Sequence, residues 1–212
     1  MAWPDITASI RGRWILAFCV STLLMMILYM PSYYGEVIGP KAGILLNDPV
    51  LNFFTPMDWS SAVFAILTIA IVQTFAMYFM SPYVVLTAMT TYCIINIIRM
   101  ITMYLFTLEP PADMILLQDP VSAFLAYPDS TFAKDLFFSG HVSTMMALVF
   151  VEKDWRWKTL KVVGTALMGL FLAWQHVHYT VDLVAAPVIT YLAYILARRM
   201  VLGITSRYLG GD

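Results

Sequence analysis

Several stretches of this chain are apolar for close to the ~20 residues that a helix needs to cross the hydrocarbon of a bilayer. They do not alternate every second residue, as barrel strands would. That single feature removes most soluble folds and leaves a bundle of membrane-spanning helices. Composition agrees: 61% of the 212 residues are hydrophobic and 12% are charged, with a mean hydropathy of +0.79, far from the usage of a soluble domain. The fold class expected is all-α and polytopic, with six transmembrane helices at about 14–30, 59–80, 82–106, 137–151, 160–175 and 179–199. The fourth and fifth are short for a full bilayer. The first has no cleavage site after it and is expected to remain as a helix rather than to be removed as a signal peptide.

Charge sets the expected orientation. Arg11 and Arg13 precede the first helix. Lys153, Arg156, Lys158 and Lys161 lie between the fourth and fifth, and Arg198, Arg199 and Arg207 follow the sixth. These segments read as cytoplasmic. The loops joining the first helix to the second and the third to the fourth hold only Lys41 and Lys134 against eight acidic residues, so they read as outer or lumenal. Both termini then fall in the cytoplasm, as six spans require. The outer loops are rich in proline (Pro31, Pro40, Pro49, Pro56, Pro110, Pro111, Pro120, Pro128), which marks them as loops rather than helices. No internal repeat or second domain is evident, so residues 1–212 form one transmembrane domain. The formal net charge of −1 gives no cationic face for a nucleic-acid partner. Cys19 and Cys93 fall inside spans and read as small apolar side chains.

Within that topology, Arg99, His141, His178 and Asp182 all fall at the outer ends of helices, at one depth. Ionisable groups inside spans are costly and usually face the bundle interior, where they serve a function. In His178-Tyr179-Thr180-Val181-Asp182 the imidazole and the carboxylate are four apart on one helical face. The carboxylate can hold one ring nitrogen and leave the other to act as nucleophile or general base. Ser139-Gly140 before His141 places backbone N–H groups at a helix start, which suits a phosphate. A zinc site of His141, His176, His178 and Asp182 is the competing reading. His176 and His178 are two apart and point to different faces, so no metal and no cofactor is expected. A non-catalytic scaffold or transporter would spread ionisable residues through the bilayer depth. The sequence shows nothing comparable on the cytoplasmic halves of the helices. The six tryptophans flank the spans and read as an interfacial belt.

Three motifs, RMITMYLFTLEPP from Arg99, DLFFSGH ending at His141 and HVHYTVDL containing His178 and Asp182, together resemble the sphingomyelin synthase-related branch of the lipid phosphate phosphatase (PAP2-like) superfamily. The resemblance covers about the last half of the chain, with the motifs within 99–182. It implies a PAP2-like helical bundle in which His178 attacks the phosphorus of a phospholipid headgroup, Asp182 orients it, and His141 protonates the departing diacylglycerol oxygen. A phosphohistidine forms, and His141 then deprotonates the acceptor, a lipid alcohol such as ceramide. Arg99 would pair with the phosphate, and no metal is required. Tyr104 and Asp135 are placed near the site by the same resemblance. Ser139, Gly140 and Tyr179 complete the substrate-binding candidates. One histidine must start neutral and the other protonated, which gives a bell-shaped pH dependence. A first-loop element of the family is matched loosely by Thr55-Pro56-Met57-Asp58. Where the classical phosphatases carry an arginine six residues before the second-site histidine, this chain has Leu172, and no lysine precedes Arg99 on its helix. The partners implied are a phospholipid donor and a lipid-alcohol acceptor. A phosphatase or phospholipase C-like hydrolase would use the same three residues and let water finish the reaction. The sequence names neither headgroup, nor acceptor, nor oligomeric state.

Overall fold

The computed structural model describes residues 2–118 and 133–205. All regular elements among them are helical. A short helix, α1 (Trp3–Ala8), leads into α2 (Ile10–Ser32), which continues without a break into a π-helical turn, Tyr33–Ile38. After a loop with one 3₁₀ turn (Leu51–Phe53) come α3 (Ser60–Tyr78) and α4 (Pro82–Leu105). Then follow α5 (Gly140–Val151), α6 (Trp155–Trp174) and α7 (Thr180–Thr205).

Local chemistry explains the boundaries. Pro82 opens α4 at a first-turn position, where its missing N–H is not needed. Ser9 and Ser139 each accept from a first-turn N–H of α2 and α5, and Asp154 accepts from Arg156 N at 2.8 Å to start α6. α6 ends in a paired closure, with Val177 N donating to Leu172 O and His176 N to Ala173 O, both at 3.0 Å. His176 takes the left-handed conformation (φ 56°) that glycine usually supplies there.

Four segments are long and apolar enough to cross a membrane: Ile10–Ile38, Ser60–Tyr78, Pro82–Leu105 and Thr180–Ile204. They fit an integral membrane protein. Of the six expected spans, all fall on helices. However, α5 has 12 residues and α6 carries Arg156, Lys158 and Lys161 in its first two turns. α4 is the inner helix. In its most apolar stretch 56% of residues are buried, against 17–28% in the other three spans. It packs on α7, α5 and α2. Ala186, Thr190, Ala193 and Ala197 are fully buried along α7, and small residues of this kind let helix backbones approach closely. Val184, Val188 and Leu192 on its other side are exposed, as a lipid-facing surface requires.

Two expectations fail. Pro31 lies inside α2 rather than in a loop. The helix carries on past it into a widened turn, with Gly39 N reaching back five residues to Tyr34 O at 2.7 Å. The half of the bundle away from His141 and His178, expected to be cytoplasmic, is also not free of buried charge. α6 starts at Trp155, earlier than expected, and Lys161 in its second turn forms a buried ion pair with Glu152 at 2.7 Å. Arg207, Asp119, Asp129, Pro120 and Pro128 lie outside the described residues.

The loop after α2 is stitched to the chain after α4 by Ile44 N to Thr107 O and Glu109 N to Ile44 O, both 3.0 Å. Gly43 permits this approach, since a Cβ there would stand 2.7 Å from the Leu108 backbone.

Candidate functional site

The start of α7, the start of α5 and the last turns of α4 meet at one end of the bundle. Ser139 N donates to Asp182 O at 3.3 Å, which joins the first two directly. Asp182 is fully buried and reaches back from the first turn of α7, accepting from Tyr179 N at 3.1 Å as the acidic member of a capping box does. His178 is 2% exposed, and its Nδ1 stands 3.5 Å from Asp182 Oδ2. That separation is within ion-pair reach but lacks hydrogen-bond geometry, so His178 Nδ1 and Asp182 Oδ1 both remain without a hydrogen-bond partner. Buried polar atoms are rarely left so.

His141 lies in the first turn of α5, partly exposed, with its ring edge-on to Phe64 of α3 at 5.5 Å. Arg99 is 6% exposed. Its Nε donates to Phe138 O at 3.0 Å and its Nη2 pairs with Asp135. Burial raises the Asp135 carboxyl, but Arg99 and the Tyr34 hydroxyl outweigh it and hold the group below the usual carboxylate range. The role of Gly140 differs from a bare anion cradle. A Cβ there would stand 2.6 Å from Arg99 Cζ, so glycine is what lets the guanidinium lie against the start of α5.

The remaining candidates separate. Tyr179 is buried, but its hydroxyl donates to Glu109 O at 2.9 Å and so ties the loop after α4 to α7. Tyr104 is 51% exposed, with its ring under Lys41 Nζ at 4.1 Å. The Ser139 hydroxyl caps α5. His176 turns away to Leu51 O at 3.1 Å. In the Thr55-Pro56-Met57-Asp58 element, Thr55 O accepts from Trp174 Nε1 at 3.0 Å and Asp58 Oδ1 from Ser60 N at 2.9 Å.

Three residues that the sequence did not single out hold this end together. Tyr34 donates to Asp135 Oδ1 at 2.8 Å. Asp48 accepts from Thr180 N at 2.6 Å and so caps α7 from a loop 132 residues away. Gln175, fully buried, accepts from Trp59 N at 2.9 Å and donates to Ser60 Oγ and Ile115 O. Gln175 adjoins the HVHYTVDL motif and was open to suspicion as a buried amide. Tyr34 and Asp48 carried no such signal.

Chemically, the arrangement offers a carboxylate-backed imidazole, a second imidazole at a helix start and one guanidinium. No curated protein matches the chain. Residues 134–199 match the family described as PAP2 superfamily C-terminal, a stretch that includes Asp135, His141, His178 and Asp182 but not Arg99. This match supports placing the chain with the PAP2-like superfamily, whose members are generally phosphatase or phosphotransferase enzymes.

Proposed function

We propose that the protein is a membrane phosphoalcohol transferase of the sphingomyelin synthase kind. It would move a headgroup from a glycerophospholipid to a lipid alcohol such as ceramide. The observation that carries this reading is the charge at the site: among the described residues Arg99 is the only buried Lys or Arg at this end, and Asp135 already pairs with it. A phosphomonoester brings close to two negative charges; a phosphodiester brings one. A single, partly neutralised guanidinium suits the diester. Leu172, where a classical phosphatase would supply a further arginine, is fully buried in the apolar core beside Met168.

In the proposed sequence, His178 Nε2 attacks phosphorus as its Nδ1 closes on Asp182 Oδ2, a contact that tightens as charge develops on the ring. The bond from phosphorus to the glyceryl oxygen breaks, His141 gives that oxygen its proton, and diacylglycerol leaves. His141, now neutral, takes the proton of the acceptor hydroxyl, whose oxygen displaces His178 and receives the phosphoalcohol. Arg99 stabilises the phosphoryl oxygens in both halves. On the charge bias of the loops, the site faces the outer or lumenal side and both termini the cytoplasm.

The family match favours a second reading, hydrolysis, in which water replaces the acceptor. One assay decides between them. The purified protein is placed in bilayer discs of mixed phospholipids with a fluorescent ceramide, His178→Ala serves as control, and the lipid products are resolved. Headgroup-bearing ceramide with stoichiometric diacylglycerol, absent in the variant, is the expected result. Free phosphoalcohol or inorganic phosphate with ceramide untouched makes the protein a hydrolase.

A further inference from the structure

We infer that Tyr34 is a positioning residue for the phosphate-binding guanidinium, acting through Asp135; the inference rests on the reading of Arg99 as the phosphate ligand. A guanidinium presents five N–H donors in one plane. Here the Nε edge is taken by Phe138 O at 3.0 Å, Nη2 is paired with Asp135, and the group lies against Gly140. Its direction therefore depends on where the Asp135 carboxylate is held. That carboxylate sits on the short connection before α5 and also accepts from the Tyr34 hydroxyl, at 2.8 Å from Oδ1. The oxygen shared by Arg99 and Tyr34 is the same one. A carboxylate anchored by a neutral donor holds a guanidinium less tightly than one free to close on it, and it cannot swing onto the N–H groups that an incoming oxyanion needs.

The geometry around Tyr34 fits an anchor. The side chain is 1% exposed and packs with Ile38 and Met103, so the hydroxyl has little freedom. It is delivered by the π-helical turn Tyr33–Ile38, in which one extra residue per turn shifts side chains off the α-helical register. Such widened turns are frequent at functional sites. Tyr33, next to it, instead donates to Met100 O at 2.7 Å. The widened turn thus sends two adjacent hydroxyls to two different tasks, one fastening α2 to α4 and the other reaching the site.

The test reads oxyanion binding directly, with orthovanadate as the probe, by calorimetry on the purified protein in bilayer discs. Tyr34→Phe keeps the ring and is expected to weaken vanadate binding about five- to tenfold, less than the full effect of one hydrogen bond to a charged group because Tyr34 acts through Asp135. Tyr33→Phe is expected to leave it unchanged. Because Tyr34 acts through Asp135, Tyr34→Phe combined with Asp135→Asn should bind no more weakly than Asp135→Asn alone. Wild-type affinity in Tyr34→Phe, with binding lost in Arg99→Gln, overturns the inference and leaves the reading of Arg99 standing, as does a double variant whose losses multiply. Binding that Arg99→Gln does not weaken removes the phosphate reading itself.

Discussion

At the far end of α5 the Glu152 carboxylate accepts from Lys161 Nζ at 2.7 Å, from Lys153 N and Asp154 N at 2.9 and 3.0 Å, and from the Tyr78 hydroxyl. Lys161 in turn donates to Thr74 Oγ1 at 2.6 Å. At the near end, one helix of about 18 Å away, Asp182 is equally buried, yet Oδ1 has no hydrogen-bond partner and His178 Nδ1 is left 3.5 Å from Oδ2. The same kind of group, a buried carboxylate beside a nitrogen base, is saturated in one place and held short of saturation in the other. A saturated buried pair fixes three helices, α3, α5 and α6, in register. The looser pair joins only the start of α7 to the turn before it. The comparison teaches that buried charge alone does not mark a site.

The largest effect expected from this contrast is on turnover. His178→Gln, close to the imidazole in volume, removes no hydrogen bond from Nδ1 and should leave the unfolding midpoint within a few degrees, while lowering the headgroup reaction by about a thousandfold or more. Lys161→Met should do the reverse. Leaving Glu152 buried without its partner costs about 3–5 kcal/mol, read as a lowered midpoint of denaturant unfolding in detergent, with activity per folded molecule preserved. Adding Glu152→Gln to Lys161→Met should return most of that stability, because the uncompensated charge is then gone. If Lys161→Met abolishes turnover in protein that remains folded, the two ends are not the separate devices described.

Acid separates them further. Burial raises the Glu152 carboxyl, but Lys161, Tyr78 and the Asp154 N–H outweigh it and bring the group down to about 2 from the usual 4.5. The folded value is the lower one, so the unfolded chain takes up its proton first as pH falls. The stabilisation is complete above about 4.5 and drains away towards pH 2. The full span is about 3 kcal/mol, part of which is offset by the cost of burying the ammonium. Unfolding midpoints followed from pH 6 to 2 should fall more steeply for the wild type than for Glu152→Gln. Equal slopes would mean that the carboxylate is not the group held by Lys161.

The helices themselves were legible in the sequence because length and apolarity are local properties. Each expected span falls on a helix, but the shared helical face expected for His178 and Asp182 does not form: α7 begins at Thr180, and His178 comes within 3.5 Å of Asp182 from the turn before it. What could not be read were contacts made across large separations. The Tyr34 hydroxyl meets Asp135 across 101 residues and the Asp48 carboxylate meets Thr180 across 132; no periodicity links such pairs. Pro31 misled because proline is read as a break, whereas here the helix continues through it and forgoes only the one bond that its N–H would have made to the preceding turn. Lys161 misled in a different way. Basic residues between apolar runs are read as solvated, and only the contacts of Lys161 with Glu152 and Thr74 show that this one lies inside the bundle. The backbone N–H groups at Ser139 and Gly140 were marked for an anion; the structure adds that the serine hydroxyl caps α5 and that the Arg99 guanidinium lies against the glycine.

The smallest expected effect tests whether the slack at the site is set locally or by the bundle. Asp48 holds the start of α7 through Thr180 N at 2.6 Å and Thr180 Oγ1 at 3.2 Å. Burial raises its carboxyl, yet these bonds and the Val50 and Leu51 N–H groups bring it below the usual range, so the capping charge is present at neutral pH. Asp48→Ala removes a cap, a loss of about 1–2 kcal/mol. His178 stands two residues before the capped position and Asp182 two after it. Fraying there changes the 3.5 Å separation between them. Turnover should therefore fall severalfold more than the loss of folded protein explains, with faster amide hydrogen exchange confined to residues 179–183. Should stability drop as expected while turnover per folded molecule holds, the spacing of imidazole and carboxylate belongs to the packing of α7 on α5, and the contact from Ser139 N to Asp182 O becomes the element that keeps the pair apart at rest.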